Sequence, residues 1–234
     1  MRLIFSLFIS FIFLSSCKED KKPVPKSQDE EVAANITRLI ATAQDGDLIV
    51  RLNDDILSTQ LRFFNEVDKS FSHSGIVVTK NGQKTVVNIL PGNATSNPMI
   101  YTPLDTFVDP KTNISCALFR YDITPSEKSK FLQNINALST QKIYFDSTIN
   151  IATDDSLYCS EMIYKTLQNA TGHRMSFHLA PIPQKMQKTT YKFYRGRLSE
   201  DTIAARRIIF IDNLYRIPEC KELMRFQLKY FPGS

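Results

Sequence analysis

Apolar residues recur along this chain at two spacings, one helical and one alternating, and the switches between them mark out its elements. After Ser27-Gln28-Asp29-Glu30, a capping box, apolar side chains fall at Val32, Ile36, Leu39, Ile40 and Ala43, the rows of one helix face. Gln44-Asp45-Gly46 stops that helix, and residues 47–52 predict a short strand. Ile56, Leu57, Gln60, Leu61 and Phe64 predict a second helix ending near Asp68. Residues 72–79 and 84–90 predict two strands joined by Asn81-Gly82, a pair that accepts the positive φ of a tight hairpin. Pro91-Gly92-Asn93 breaks the second of them, and residues 97–110 read as a mixed connection with three prolines. A strand over 115–121, a helix from Pro125 to about Leu138, a helix over 158–169 stopped by Gly172, and a late strand over 206–211 complete the pattern. Cys220 falls in a polar stretch that reads as a C-terminal helix. The sum is an α+β fold: an antiparallel sheet or partial barrel with helices packed on it.

The two ends change the picture. Arg2 followed by the apolar run 3–14 is too short to span a bilayer and has the length of a signal h-region. Leu14-Ser15-Ser16-Cys17 then resembles a bacterial lipobox, which makes residues 1–17 a signal peptide ending at a lipidated Cys17. Residues 18–27 are charged, hold two prolines and show no periodicity, so they read as a tether. Lys18-Glu19-Asp20 also resembles a surface-export signal. These readings put the protein in the cell envelope, lipid-anchored with the outer membrane as the favoured site, and leave the leaflet open, surface exposure being one alternative. Residues 28–234 then form one domain of about 200 residues, long enough for a full core.

At 42% hydrophobic and 23% charged, the composition is that of a globular domain. The net charge of +5 is uneven: residues 181–234 hold 11 Lys/Arg against 5 Asp/Glu, a surplus of 6. That flank suits anionic polymers or lipid headgroups, or is simply a solvated surface. Nothing suggests nucleic-acid binding. No cofactor is expected, and no Cys/His cluster has metal-ligand spacing. Cys116 sits in an apolar run; its pairing with Cys220 is open to an exported protein and is not fixed by sequence.

The candidate chemistry rests on two motifs. Phe71-Ser72-His73-Ser74-Gly75-Ile76-Val77-Val78 opens a β-branched run with a histidine. Strand alternation puts Phe71, His73 and Gly75 on one face and Ser72, Ser74 and Ile76 on the other. Tyr158-Cys159-Ser160-Glu161-Met162-Ile163-Tyr164 opens an amphipathic helix with a cysteine. A helix N-terminus and a nearby imidazole are expected to lower the thiol pKa and relay its proton, which makes Cys159 the candidate nucleophile and His73 its base. Asn88, on the partner strand of the hairpin, is the candidate third residue; it reads equally as a strand-end residue entering the Pro91-Gly92 turn. Tyr158, Asp47 and Glu161 form a second tier. Tyr158 could bond a substrate carbonyl. Glu161 is favourable against the helix macrodipole whatever its function, so the structural role is preferred for it.

The order His before Cys, with Gly46-Asp47-Leu48-Ile49 upstream and Tyr144-Phe145-Asp146 as a weaker match, resembles the YaeF/YiiX family of permuted papain-like amidases. These are circularly permuted relatives of the NlpC-type peptidases. The resemblance spans residues 44–217. It implies a permuted papain-like fold and a cysteine hydrolase that cleaves an amide through an acyl-enzyme at Cys159, the substrate being a cell-wall peptide or related small amide. In the family the strand of Asn88 usually carries a glutamate; here it carries an amide. Two alternatives stay open: a lipid ester or thioester hydrolase or acyltransferase using the same thiol, and a non-catalytic binding lipoprotein. An apolar cleft lined by Phe63, Phe64 or Phe71 would mark a lipid substrate, an open polar cleft an amidase.

Overall fold

The structure, a computed structural model, describes residues 27–91, 97–193 and 198–229. The signal segment, Cys17 and nearly all of the tether lie outside the described residues, as do Gly92 and Asn93.

In chain order the elements are α1 (Gln28–Thr42), β1 (Leu48–Asn53), α2 (Ile56–Leu61) with a 3-10 turn over Arg62–Phe64, β2 (His73–Lys80), β3 (Gln83–Ile89), β4 (Met99–Pro103), α3 (Leu104–Phe107), β5 (Asn113–Tyr121) and α4 (Pro125–Ser139). Then come β6 (Tyr144–Phe145), β7 (Ser156–Leu157), α5 (Cys159–Thr171), β8 (Ala180–Pro181), α6 (Gln184–Phe193), α7 (Glu200–Ala204), β9 (Arg207–Ile208), α8 (Ile211–Tyr215) and β10 (Cys220–Gln227). Six strands form one antiparallel sheet in the order β10-β5-β1-β2-β3-β4.

Alternation along the strands splits the core in two. Leu48, Val50, Ile76, Val87, Ala117 and Phe119 face Phe131 and Ile135 of α4 and Met162, Ile163 and Leu167 of α5. Ile49, Val77, Val86, Cys116 and Leu118 face Val32 and Leu39 of α1 and Leu104 and Phe107 of α3. The sheet is the middle of three layers, and each fully buried aliphatic side chain contributes roughly 1.5–3 kcal/mol. The capping boxes at Ser27/Glu30 and Thr124/Glu127 are present as the sequence predicts, and Gly172 ends α5 at φ 63°.

Four sequence expectations are corrected. The second helix stops at Leu61 and its 3-10 extension at Phe64, because Asn65 Nδ2 donates to the carbonyls of Asp68 and Phe71 and draws the chain into a turn. The connection over 97–110 contains β4 and α3; Met99–Pro103 pairs with β3 despite its flanking prolines because it is an edge strand. The late strand is only Arg207–Ile208, and residues 211–215 turn helical. Cys220 opens an edge strand, not a helix: pairing with β5 overrides a charged sequence, and Lys221, Glu222 and Arg225 belong to the polar character of an exposed edge. That placement also removes the disulfide. Cys116 pairs in register with Phe226 and Cys220 with Tyr121, about 17 Å apart along β5, whereas a disulfide needs Cα atoms within about 7 Å.

Candidate active site

Cys159 is the first residue of α5, and both of its neighbours fasten it. Ser160 Oγ donates to the Ile209 carbonyl at 2.8 Å, and Tyr158 Oη accepts the Ile209 N–H at 3.0 Å. One residue of the β9–α8 connection is thus gripped from both sides, which fixes the helix start. The tyrosine oxygen serves as the acceptor in that grip, and the grip does not use its O–H, the donor that a substrate carbonyl would need. The β2–β3 ladder stops at Ile76↔Val87, and near this opening the Cys159 sulfur lies against Ser74. Backbone N–H groups of Ser74, Cys159 and Ser160 and the Ser74 hydroxyl pull the thiol pKa down, but burial outweighs them and the net shift is upward. This reverses the sequence expectation of a thiolate: the N-terminal dipole is present, but desolvation is larger.

His73, only 8% exposed, begins β2. Its Nε2 lies 3.0 Å from Asn88 Oδ1. The Asn88 amide nitrogen is used elsewhere, donating to the Val86 carbonyl at 3.2 Å and to Thr102 Oγ1 at 3.3 Å. The amide orientation therefore makes Nε2–H the donor and leaves Nδ1 as the bare base. Gly75 makes the pairing possible. A Cβ at Gly75 would come within 2.4 Å of Val86 Cγ1 and 3.2 Å of Asn88 Cβ, so only glycine lets the Asn88 side chain lie there. Burial, then the positive charge of Arg51, lower the His73 pKa to about 4; the bond to Asn88 works against them. At neutral pH the two groups are a neutral thiol and a neutral imidazole. Both border one cavity, and no hydrogen bond joins them. Phe71 does not share the histidine's face: it precedes the strand and packs edge-on to Tyr215 at 6.1 Å between ring centres.

The second tier divides. Glu161 Oε2 accepts the Tyr158 N–H at 3.3 Å and Oε1 pairs with Lys165 at 3.0 Å, so it holds the first turn of α5. Burial raises its pKa to about 7 against the pull of Lys165. Asp47 is not in the site. It sits at the opposite end of β1, where it accepts the Gln44 N–H at 2.8 Å and binds Arg120 through two 2.7 Å bonds. Asp146 is buried and committed to Thr148 and the Asn150 N–H. Sequence reasoning missed Ser74, Ile209 and Arg51. Nothing local marks Ser74 or Ile209; Arg51 could have been found as a cation in an otherwise apolar strand.

The cavity, about 530 Å³, lies at the end of β1, β2 and β3. Leu57, Leu61, Phe64, Phe145, Met186 and Phe210 make most of its walls apolar, with Cys159 and His73 at its edge. Of the phenylalanines named as markers of an apolar cleft, Phe64 lines it, whereas Phe63 is 59% exposed and Phe71 is core. In the same segment of chain, Ile56 is 80% and Val67 61% exposed.

Residues 42–208 match the family described as permuted papain-like amidase enzyme, YaeF/YiiX, C92 family. The uncharacterised protein YiiX of Escherichia coli (strain K12) is 24% identical over 179 residues, covering 71% of this chain and 81% of that protein. The crystal structure described as metalloprotein yiiX from Escherichia coli O157:H7 superposes with a TM-score of 0.60 at 18% identity, covering 79% of this chain and 98% of that one. In this chain no group of three or more His, Cys, Asp or Glu is placed to hold a metal among the described residues, so no step is derived through one.

Proposed function

The chain belongs to the YaeF/YiiX (C92) family of permuted papain-like amidases, and from that premise we propose that it hydrolyses an amide bearing an apolar acyl group through an acyl-enzyme at Cys159. Amide hydrolysis comes with the family. The apolar character of the cavity beside the thiol is the observation that carries the acyl group.

This mechanism requires the His73 imidazole and the Cys159 sulfur, which line one cavity with no hydrogen bond between them, to come within reach of each other when substrate fills it. Nδ1 of His73 takes the thiol proton as the sulfur adds to the carbonyl carbon. Starting from a neutral pair suits a general base better than a standing thiolate–imidazolium. Asn88 holds the ring by accepting from Nε2–H throughout. The N–H groups at the start of α5 receive the oxyanion. Collapse expels the amine, which leaves with the proton from His73. Water then attacks the thioester, His73 takes its proton and returns it to the departing sulfur, and the free acid is released.

A wall peptide is the second reading; Asn53, Ser58 and Asn65 give the cavity one polar side that favours it. The same thiol would also open esters and thioesters. We infer a place at the membrane from the apolar run 3–14 and the Leu14-Ser15-Ser16-Cys17 lipobox, with lipid on Cys17. The exposed Ile56, Leu57, Phe63 and Val67, all within the segment 56–67, suit a protein that works next to lipid. Among the described residues no helix is long and apolar enough to cross a bilayer.

The test is a pair of anilides, dodecanoyl and acetyl, offered to the full chain in mild detergent, with mass spectrometry of the Cys159 peptide. Faster turnover of the dodecanoyl compound and an acyl adduct on Cys159 are expected. Acetyl preference, or turnover surviving in Cys159→Ala, would sink the reading.

A further inference from the structure

One charged side chain on the cavity wall is only partly satisfied by its own chain. Arg51, at the open end of β1, lies in register with His73 and is the only Lys or Arg among the described lining residues. Its guanidinium stacks 4.1 Å from the centre of the Phe107 ring, and Nη1 donates to the Phe107 carbonyl at 2.8 Å. Nε is buried and has no hydrogen-bond partner, and among the described residues the guanidinium's one side-chain hydrogen bond is that of Nη1. No carboxylate comes within ion-pair distance of it among the described residues. Of the carboxylates sharing the cavity, Asp55 caps α2, accepting the Ser58 N–H and hydroxyl at 2.8 Å each, and acts on Arg51 only through space, its charge outweighed by burial, while Asp146 binds the 148–150 turn. A half-buried guanidinium with no ion-pair contact and an unpartnered Nε–H is costly to keep in a fold. The edge it leaves vacant, Nε–H with Nη2–H, is the two-pronged face that matches a carboxylate.

We propose that Arg51 binds the carboxylate of the substrate, so that the enzyme acts on amides of an apolar acid with an amino acid, that is, N-acyl amino acids. This rests on the acyl-amide reading above and adds the other half of the molecule. The apolar chain fills the Leu57–Phe64–Met186 side of the cavity, the amide lies at Cys159, and the carboxylate on the amine side reaches Arg51. One further consequence follows from the same contact. Arg51 is one of the two causes that keep His73 unprotonated, so a carboxylate seated on Arg51 cancels that repulsion and makes the imidazole a better proton acceptor only when substrate is bound.

The experiment separates binding from turnover. Full-length Cys159→Ser protein is titrated calorimetrically with N-dodecanoylglycine and with its uncharged counterpart N-dodecanoylglycinamide. The acid should bind at least tenfold more tightly, with the advantage shrinking as salt rises, and in the Arg51→Met, Cys159→Ser double variant the two ligands should bind within about twofold of each other. Equal binding in the Cys159→Ser protein, or a preference for the acid that survives in the double variant, overturns the subsite. If the double variant does not fold, the first comparison and its salt dependence still decide. Turnover of the two compounds by Cys159-containing enzyme is read separately. Cleavage of both at equal rates would leave the acyl-amide reading standing without Arg51. Tight, Arg51-dependent binding of the acid with cleavage of neither would sink the acyl-amide reading and keep the anion site.

Discussion

The two ends of β1 carry the same kind of residue in opposite states. At the closed end Arg120 reaches Asp47 through two short bonds and also bonds the Thr42 carbonyl, and this pairing raises its pKa. At the open end, about 13 Å along the strand, Arg51 has an aromatic ring and one carbonyl, and burial lowers its pKa to about 10. One arginine is saturated by its own chain and ties α1, β1 and β5 together. The other keeps an unpartnered Nε–H and has Asp55 only as a through-space neighbour. The Gly-Asp motif and the Ser-His motif look alike on paper as polar residues opening strands. Only the first has its chemistry consumed by the fold.

The comparison breaks most sharply at the closed end. Asp47→Ala should destabilise the protein by about 2 kcal/mol, less than the usual 3–5 for a broken buried pair because the Arg120 side chain is 35% exposed. Chemical denaturation checks this, and a loss under 0.5 kcal/mol would show that the pair is ornamental. Arg51→Met should shift stability by less than about 1 kcal/mol, since relief of the buried, unpartnered Nε–H is offset by loss of the bond to the Phe107 carbonyl, and the packing on Phe107 is kept.

Smaller effects sharpen the open end. Activity requires His73 unprotonated, and its lowered pKa means the acid limb of kcat/KM should fall near pH 4, not near 6.5. A limb at 6.5 would mean that His73 is not the base or is not buried in the working enzyme. Asn88→Asp puts a carboxylate where the family usually has one and should move the limb up by about one pH unit, because an adjacent anion favours the imidazolium. In Arg51→Met the limb should also move up, but by less, since burial is the larger cause and remains. A downward movement in either variant would contradict the electrostatics drawn here.

Much of the fold was readable because local signals and tertiary structure agree. The hairpin at Asn81-Gly82, the two Ser/Thr–Glu capping boxes and the Gly172 stop each state their geometry within a few residues. The regions that misled are those where pairing overrules propensity, as in β10, or where a side chain bends the main chain, as Asn65 does after α2. The site divides the same way. Cys159 and His73 are legible because a cysteine at a helix start and a histidine at a strand start carry recognisable chemistry.

The sequence by itself determined the α+β class and the family and singled out Cys159 and His73 as candidates, since these are properties of residue type and short spacing. The tertiary structure alone decided their protonation, because burial is a property of the whole assembly and here outweighs the helix N-terminus. It also decided that Asp47 is a tie and Arg51 is not, because whether a charge has a counter-ion depends on a residue that the sheet brings across from β5 at one end of β1 and brings to neither partner at the other.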